Sequence, residues 1–239
     1  MLKPTEFKPS FFWWMSLVAL IAVHIGFAKT YLAPVTAGTF SAPVVVYVHG
    51  ALAFGWIFLY FVQTTLAGFH QYLLHAIVGI IALLTAVGAA VTMPSLGVYA
   101  VQKELRQGLG ETAVSGIVGV FTSAIMFLAL VIAGVLNRAY GAIHKRLMLL
   151  ATIVILWPAW FRFRHYFPSV PRPDIWFAVV LADSLIIISW VWDKRKNGYI
   201  HPLLKYIGTA IILEHIFEVV CFDNPTWRVV AAKLYQLAA

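Results

Sequence analysis

The chain has 239 residues, of which 62% are hydrophobic, 15% aromatic and only 11% charged, where an ordinary soluble domain carries about 45–50% apolar and about 25% charged residues. Seventeen Lys and Arg with nine Asp and Glu cannot form the polar shell of a water-soluble fold this long, and the apolar residues gather in blocks long enough to cross a bilayer, with no strand-like alternation. The net charge of +8 would suggest nucleic acid as the partner of a soluble protein. Here the bases cluster at the ends of apolar blocks, as in Arg138, Lys145 and Arg146 and again in Lys194, Arg195 and Lys196, so they mark membrane topology and no nucleic acid is expected.

Taken in chain order, the apolar blocks predict an all-α polytopic membrane protein with one domain over 1–239 and seven transmembrane helices at about 11–30, 43–67, 72–93, 113–136, 144–161, 175–192 and 203–221. The first block follows Lys3 and Lys8 like a secretory signal, but it outruns a signal core and opens with Phe11, Phe12, Trp13 and Trp14, an interfacial aromatic anchor, so it is read as a span. The polar stretch 94–112 predicts an interfacial helix, with Gly108 and Gly110 as turn glycines. Ser115 and Gly119 permit close helix packing. With the N-terminus in the cytoplasm, the inner side holds nine bases and two acids, Glu6 and Asp193, and the outer side eight bases and four acids. That bias of +7 against +4 favours a cytoplasmic N-terminus. Cys221 is the sole cysteine, so any metal site must use His and carboxylates.

Three acids fall inside apolar blocks: Asp183, Glu214 and Glu218. Each costs roughly 2.5–3.5 kcal/mol at the centre of a spanning helix, which marks them as functional candidates or as members of a buried pair. At about 100° per residue, Glu214, Glu218 and Cys221 share one stripe, and His215 stands three residues before Glu218, a spacing that lets a His and a Glu share one metal. His215, Glu218, Glu214 and Asp183 are thus the candidate metal ligands or a proton relay. The structural alternative has the two Glu bonded to Arg162 or Arg164, or sitting protonated against Asp183.

The eight histidines divide evenly between the two faces. His70, His75, His144 and His201 lie at inner helix ends, and His24, His49, His165 and His215 in the outer half. His201 and His215, 14 residues apart, project within about 40° of one face and about 21 Å apart along the axis, the layout by which b-type cytochromes ligate two haems, although His201 precedes Pro202 and falls at a helix N-cap. His75, His144 and His201 form the candidate inner site, with His49 and His215 as outer candidates. The HxxxH and HxxHH boxes of membrane di-iron enzymes are approached only by His70 and His75. No GxSxG, phosphate loop or HExxH is present, and no reaction is named by the sequence.

From His49 to Gly79 (HGALAFGWIFLYFVQTTLAGFHQYLLHAIVG), Ile143 to Arg162 (IHKRLMLLATIVILWPAWFR) and Val191 to Gly208 (VWDKRKNGYIHPLLKYIG), the chain resembles a family of uncharacterised bacterial multi-pass inner-membrane proteins. In that family an HGAL motif opens one helix, an LHRRLG-like turn opens the next, an HKRLM motif opens a later one, and an RGRVHP-like loop leads to the last. The resemblance implies a multi-pass inner-membrane fold and places His49, His75, His144 and His201 where the family keeps histidines, without implying an activity, and it departs at Ala76 and Ile77, where the family has arginines, and at the Glu214–Glu218 segment. The expected function is a histidine-based haem b or transition-metal site in membrane redox or cofactor handling. The bilayer is its partner, with other membrane subunits or a quinone as further candidates. Two alternatives stand beside it: a non-catalytic accessory or assembly subunit, and a proton-coupled transporter using Asp183 and Glu218. An odd helix number and the lack of an inverted repeat count against the transporter.

Overall fold

The computed structural model describes residues 7–239, which contain helices and no strands; Lys3 and Glu6, both counted in the orientation bias, lie outside them. Six helices are long and apolar enough to cross a membrane: α1 (Phe11–Thr36), α2 (Val44–Gly68), α3 (Tyr72–Arg106), α4 (Thr112–Leu136), α5 (Gly141–His165) and α6 (Asp174–Asn197). The protein is a multi-pass membrane protein. The seventh predicted span also forms a helix, α7 (Pro202–Cys221), but Lys205, Glu214 and Glu218 set it apart from the six. A final helix, α8 (Pro225–Ala238), was not expected from the hydropathy. Its start is nonetheless written in the sequence, since Asn224 accepts a hydrogen bond from the Trp227 backbone at 2.8 Å and Pro225 occupies the first turn, a standard N-terminal combination.

The tight turns at 69–71 and 137–140 fold α2 against α3 and α4 against α5, so successive helices run antiparallel. The amino end of the bundle holds these turns and the α6–α7 link; the opposite end holds α8. At the centre stands α5, which packs on α1, α2, α4, α6 and α7. Its sequence explains the position: Leu147, Leu149, Leu150, Ala151, Ile153 and Val154 leave no polar face, and a helix that is apolar all round buries itself. Gly26 of α1 lets the two backbones touch, since a Cβ there would lie 2.3 Å from the Ala159 carbonyl oxygen. On the periphery, Leu73, Ile77, Ile80, Leu84 and Val91 remain exposed along one stripe of α3, the face that lipid covers.

The expected break at 94 does not occur. The α3 helix runs through Pro94 to Arg106 for 35 residues, about 50 Å, so the stretch 94–106 is a helix extension and no separate interfacial helix forms there. Proline deletes one backbone hydrogen bond, but packing outweighs that loss: Gly97 lies against Val120, and Val101 is buried in a second apolar cluster with Ile117, Val118, Trp227 and Ala231.

Arg146 and Asp193, which the sequence assigns to basic and acidic loop ends, form a buried ion pair with side-chain exposures of 4% and 0%. Arg146 Nη2 and Nε donate to the two carboxylate oxygens, and Nη1 donates to the Ala142 carbonyl at 2.7 Å. Asp193 also accepts from Asn197 Nδ2 at 2.9 Å and from the His201 backbone N–H at 3.0 Å. Every lone pair facing inward thus has a donor, the condition under which a buried pair is tolerated. Replacing Asp193 by Asn should cost about 3–5 kcal/mol because it leaves a buried guanidinium uncompensated, whereas replacing both Arg146 and Asp193 by Leu should cost less than either single change; denaturation of the detergent-solubilised variants measures both.

At the opposite end, α8 docks through Trp227, whose indole N–H donates to the Ser115 carbonyl at 3.0 Å, and through Asp223. The Asp223 carboxylate accepts from Arg228 at 2.7 and 2.8 Å, from Ser115 Oγ at 2.6 Å and from Thr112 Oγ1 at 2.8 Å. The Arg228 guanidinium, then the two hydroxyls, hold its pKa well below the usual carboxylate range. A depressed folded-state pKa stabilises the docked helix above the unfolded value of about 3.9 and loses that contribution only as pH falls below it. The protection of backbone amides 225–238, taken relative to their intrinsic exchange rates at each pH, should therefore stay flat from pH 7 to about pH 4 and fall at lower pH, and Asp223→Asn should show reduced protection throughout.

Candidate functional site

Two groups of ionisable side chains lie within the bundle, at different depths. The first is a histidine pair near the amino end. His75 sits in the first turn of α3 and His144 in the first turn of α5, and their ring centroids are 6.1 Å apart with the planes at 73°. Both rings are half-buried, and both are fixed through Nδ1. His144 Nδ1 donates to the Gly134 carbonyl at 2.8 Å, one of the carbonyls that the last turn of α4 leaves without an intrahelical partner. His75 Nδ1 donates to the Gln63 carbonyl at 3.2 Å, while the Gln63 side chain donates back to the His75 carbonyl at 3.0 Å. A ring nitrogen against a carbonyl carries the proton, so in the neutral ring Nε2 keeps a lone pair, as in imidazoles whose Nδ1–H is held by a carbonyl while Nε2 bonds a metal.

The other sequence-selected histidines do not join this pair. His201 is the N-cap of α7, as its place before Pro202 implies, with Nδ1 accepting from the Leu203 N–H at 3.3 Å. Burial and then the Arg146 guanidinium lower its pKa, so the ring is neutral at pH 7. His49 lies toward the far end of the bundle with Nδ1 against Thr92 Oγ1 at 2.9 Å. His24 bonds its own helix at the Leu20 carbonyl, His165 is exposed at the end of α5, and His70 is an exposed turn residue at φ 59°.

The second group joins α6, α7 and α4. His215 Nδ1 and Asp183 Oδ1 lie 2.8 Å apart, and the two residues are 3% and 4% exposed. On its other edge His215 Nε2 has no hydrogen-bond partner and stands 3.8 Å from Glu214 Oε2. Neither buried Glu214 oxygen is partnered, and Asp183 Oδ2 is likewise free. Glu218 points to α4, where its carboxylate accepts a hydrogen bond from Thr122 Oγ1 and occupies the space left by Gly119, whose Cβ would lie 2.9 Å from Glu218 Oε2. Gly119, expected to serve helix packing, makes room for a carboxyl. Arg162 and Arg164, the alternative partners of the two Glu, bond instead to Thr30 with the Pro158 carbonyl and to the Phe161 carbonyl.

Among the described residues no three His, Cys, Asp or Glu side chains come together in a way that could hold a metal ion. His215, Glu218, Glu214 and Asp183, expected as metal ligands, belong to no such group among the described residues. Asp183 and His215 spend their facing atoms on each other and Glu218 turns toward Thr122, so the four donors never surround one point. What they can do is hold and pass protons, as a row of acid, imidazole and acid in apolar surroundings. Comparison with family models, curated proteins and solved structures finds no match for the chain, and the functional reading rests on the geometry.

Sequence reasoning missed Thr122 and the Asp183–His215 pairing, because a threonine in a span carries no signal of its own and the partner of a buried histidine is set by helix rotation. Thr122→Val removes the hydroxyl that donates to Glu218 and should destabilise the protein by about 1–3 kcal/mol; Thr122→Ser keeps the hydroxyl and should recover most of it, read by thermal unfolding in detergent.

Proposed function

We propose that the protein is a haem-binding redox protein of the bacterial inner membrane, with His75 and His144 as the two axial ligands of a b-type haem. The observation that carries this reading is the His75–His144 pair itself. The two ring centroids lie 6.1 Å apart, and each ring gives Nδ1 to a backbone carbonyl and keeps Nε2, so His75 and His144 are the residues that would hold a haem iron at this end of the bundle. A two-histidine haem asks for no third protein ligand. Bound haem b supplies one-electron transfer.

The chain's own part is positioning. Gln63 and Gly134 fix the tautomer and tilt of the two rings, and the Arg146–Asp193 pair, two residues beyond His144, anchors the first turn of α5. On this reading α7 is a seventh span whose acids face the bundle, and the amino end lies in the cytoplasm, supported by the excess of bases there.

Protein purified from membranes supplied with haem should show a low-spin Soret band with about one iron per chain. His75→Ala or His144→Ala should abolish that spectrum, with recovery on adding imidazole, while His49→Ala and His201→Ala should retain it. A wild-type protein that expresses and folds yet carries neither Soret band nor iron overturns the assignment.

A further inference from the structure

The acid row of α6 and α7 holds more acceptors than donors. Among the described residues eight enclosed side-chain polar atoms have no hydrogen-bond partner, and four of them belong to this row: Asp183 Oδ2, both Glu214 oxygens and His215 Nε2. Native interiors pair the great majority of such atoms, so their concentration here marks a shared occupant. Glu214 and Glu218 stand one turn apart on the same face of α7, and their carboxyls lie within hydrogen-bonding reach of each other. Two carboxylates in that contact have no donor between them. His215, 3% exposed, aims Nε2 at Glu214 Oε2 from 3.8 Å, a second contact without a donor while the ring is neutral. No Lys or Arg answers these acids. The α4 helix has no ionisable side chain and offers the Thr122 hydroxyl, α5 has none between Arg146 and Arg162, and α6 adds a further acid in Asp183. On α7 itself Lys205 lies nine residues before Glu214, about 14 Å along the axis. The α8 helix meets α7 through Trp227 on Phe217, and its Arg228 is spent on Asp223 and Glu111. His215 is the one side chain facing the row that can become a cation.

We propose that Glu214 and Glu218 form a proton-binding site inside the bundle, the two carboxyls sharing one exchangeable proton, with His215 as the cation beside them. Asp183 holds His215 at Nδ1, and the ring donates from Nε2 to Glu214. Loading forms one carboxyl O–H bond with a proton taken from a hydronium ion, which leaves as water; unloading gives the proton back to water and restores two carboxylates. Two arguments place the proton between the glutamates. Carboxylates in contact and away from water cannot both stay ionised, and the shared proton supplies the donor that both side chains lack. The enclosure of the Glu214 oxygens and His215 Nε2 suits this occupant, since a proton needs no cavity. Glu218 is the half-buried member, with one oxygen held by Thr122, so exchange with the surroundings runs through its carboxyl. The site shares no residue with the His75–His144 pair, and it stands or falls independently of haem.

Infrared spectroscopy of the whole protein in lipid nanodiscs at pH 7, in H2O and in D2O, tests the site. The wild type should show the carbonyl stretch of a protonated carboxylic acid, and the band should shift in D2O because the proton exchanges. Glu214→Gln and Glu218→Gln should each remove that same band, since either amide supplies the missing donor and leaves the remaining carboxyl ionised. Asp223→Asn, at an acid tied to Arg228 outside the pair, should keep it. A wild-type protein with no protonated-carboxyl band overturns the proposal whatever the variants do. So does a band lost in only one of the two glutamine variants, which marks a single isolated acid, a band that survives both, or one that does not shift in D2O. Soret absorbance and iron are read on the same samples: a haem-loaded protein without the band rejects the proton site alone, and a haem-free protein that keeps it rejects the haem reading alone.

Discussion

The buried pair of Arg146 and Asp193 is the constraint on which the amino half of the bundle depends. One guanidinium and one carboxylate, both removed from solvent, tie α5 to α6, and the spare carboxylate lone pairs reach the His201 N–H at the entrance to α7. An ion pair in this setting contributes little net stability. Its effect is on register: a one-turn slip of α6 along α5 would strand two charges in an apolar interior, so the relative height of the two helices has one acceptable value. Since His144 is two residues from Arg146 and Asp183 ten residues from Asp193, that single lock sets the depth of both polar groups.

The histidines show how one residue type takes different roles according to which nitrogen is engaged. His75 and His144 donate from Nδ1 to carbonyls and keep Nε2 outside those bonds. His201 uses Nδ1 as a cap acceptor, which places its ring at the helix end beside a guanidinium. His215 gives Nδ1 to a carboxylate and leaves Nε2 facing another carboxyl. Position relative to helix ends accounts for part of this: His144 in a first turn meets an orphan carbonyl of the last turn of α4, and His201 at an N-cap meets an orphan N–H, whereas His215 in mid-helix meets a side chain of a neighbouring helix.

Much of the fold was readable because the bilayer imposes a simple rule, that long apolar blocks become helices with satisfied backbones. Six blocks became membrane-length helices and the seventh a helix with three charges. The failures came where tertiary contacts overrode a local signal: Pro94 did not end α3 because Gly97 and Val101 pack on α4 and α8, and α8 itself escaped notice because its amphipathic face is short and only Trp227 and Ala231 are buried. Candidate residues were visible as expensive residues in apolar blocks, but their grouping was not. Spacing placed His215 and Glu218 on one face, yet three residues leave about 60° between them, enough for His215 to meet Asp183 on α6 and Glu218 to meet Thr122 on α4. The convergence of His75 with His144 was open for a different reason: it requires α3 and α5 to face each other across two intervening turns and α4, which no local pattern encodes.

The depths of the two polar groups can be compared through the Arg146–Asp193 lock. Asp183 lies about 15 Å along α6 from Asp193, and His144 lies about 3 Å from Arg146 in the opposite sense along α5, so the groups are separated by about 18 Å along the bundle axis. That spacing is more than half of the about 30 Å hydrocarbon core. The imidazole pair therefore belongs to one leaflet and the Asp183–His215–Glu214 row to the middle or the other leaflet, with the apolar length of α5 between them. The buried side chains of α5 that fill the space between them, Leu149, Leu150, Ile153 and Val154, carry no ionisable group, so that packing keeps the two polar groups apart.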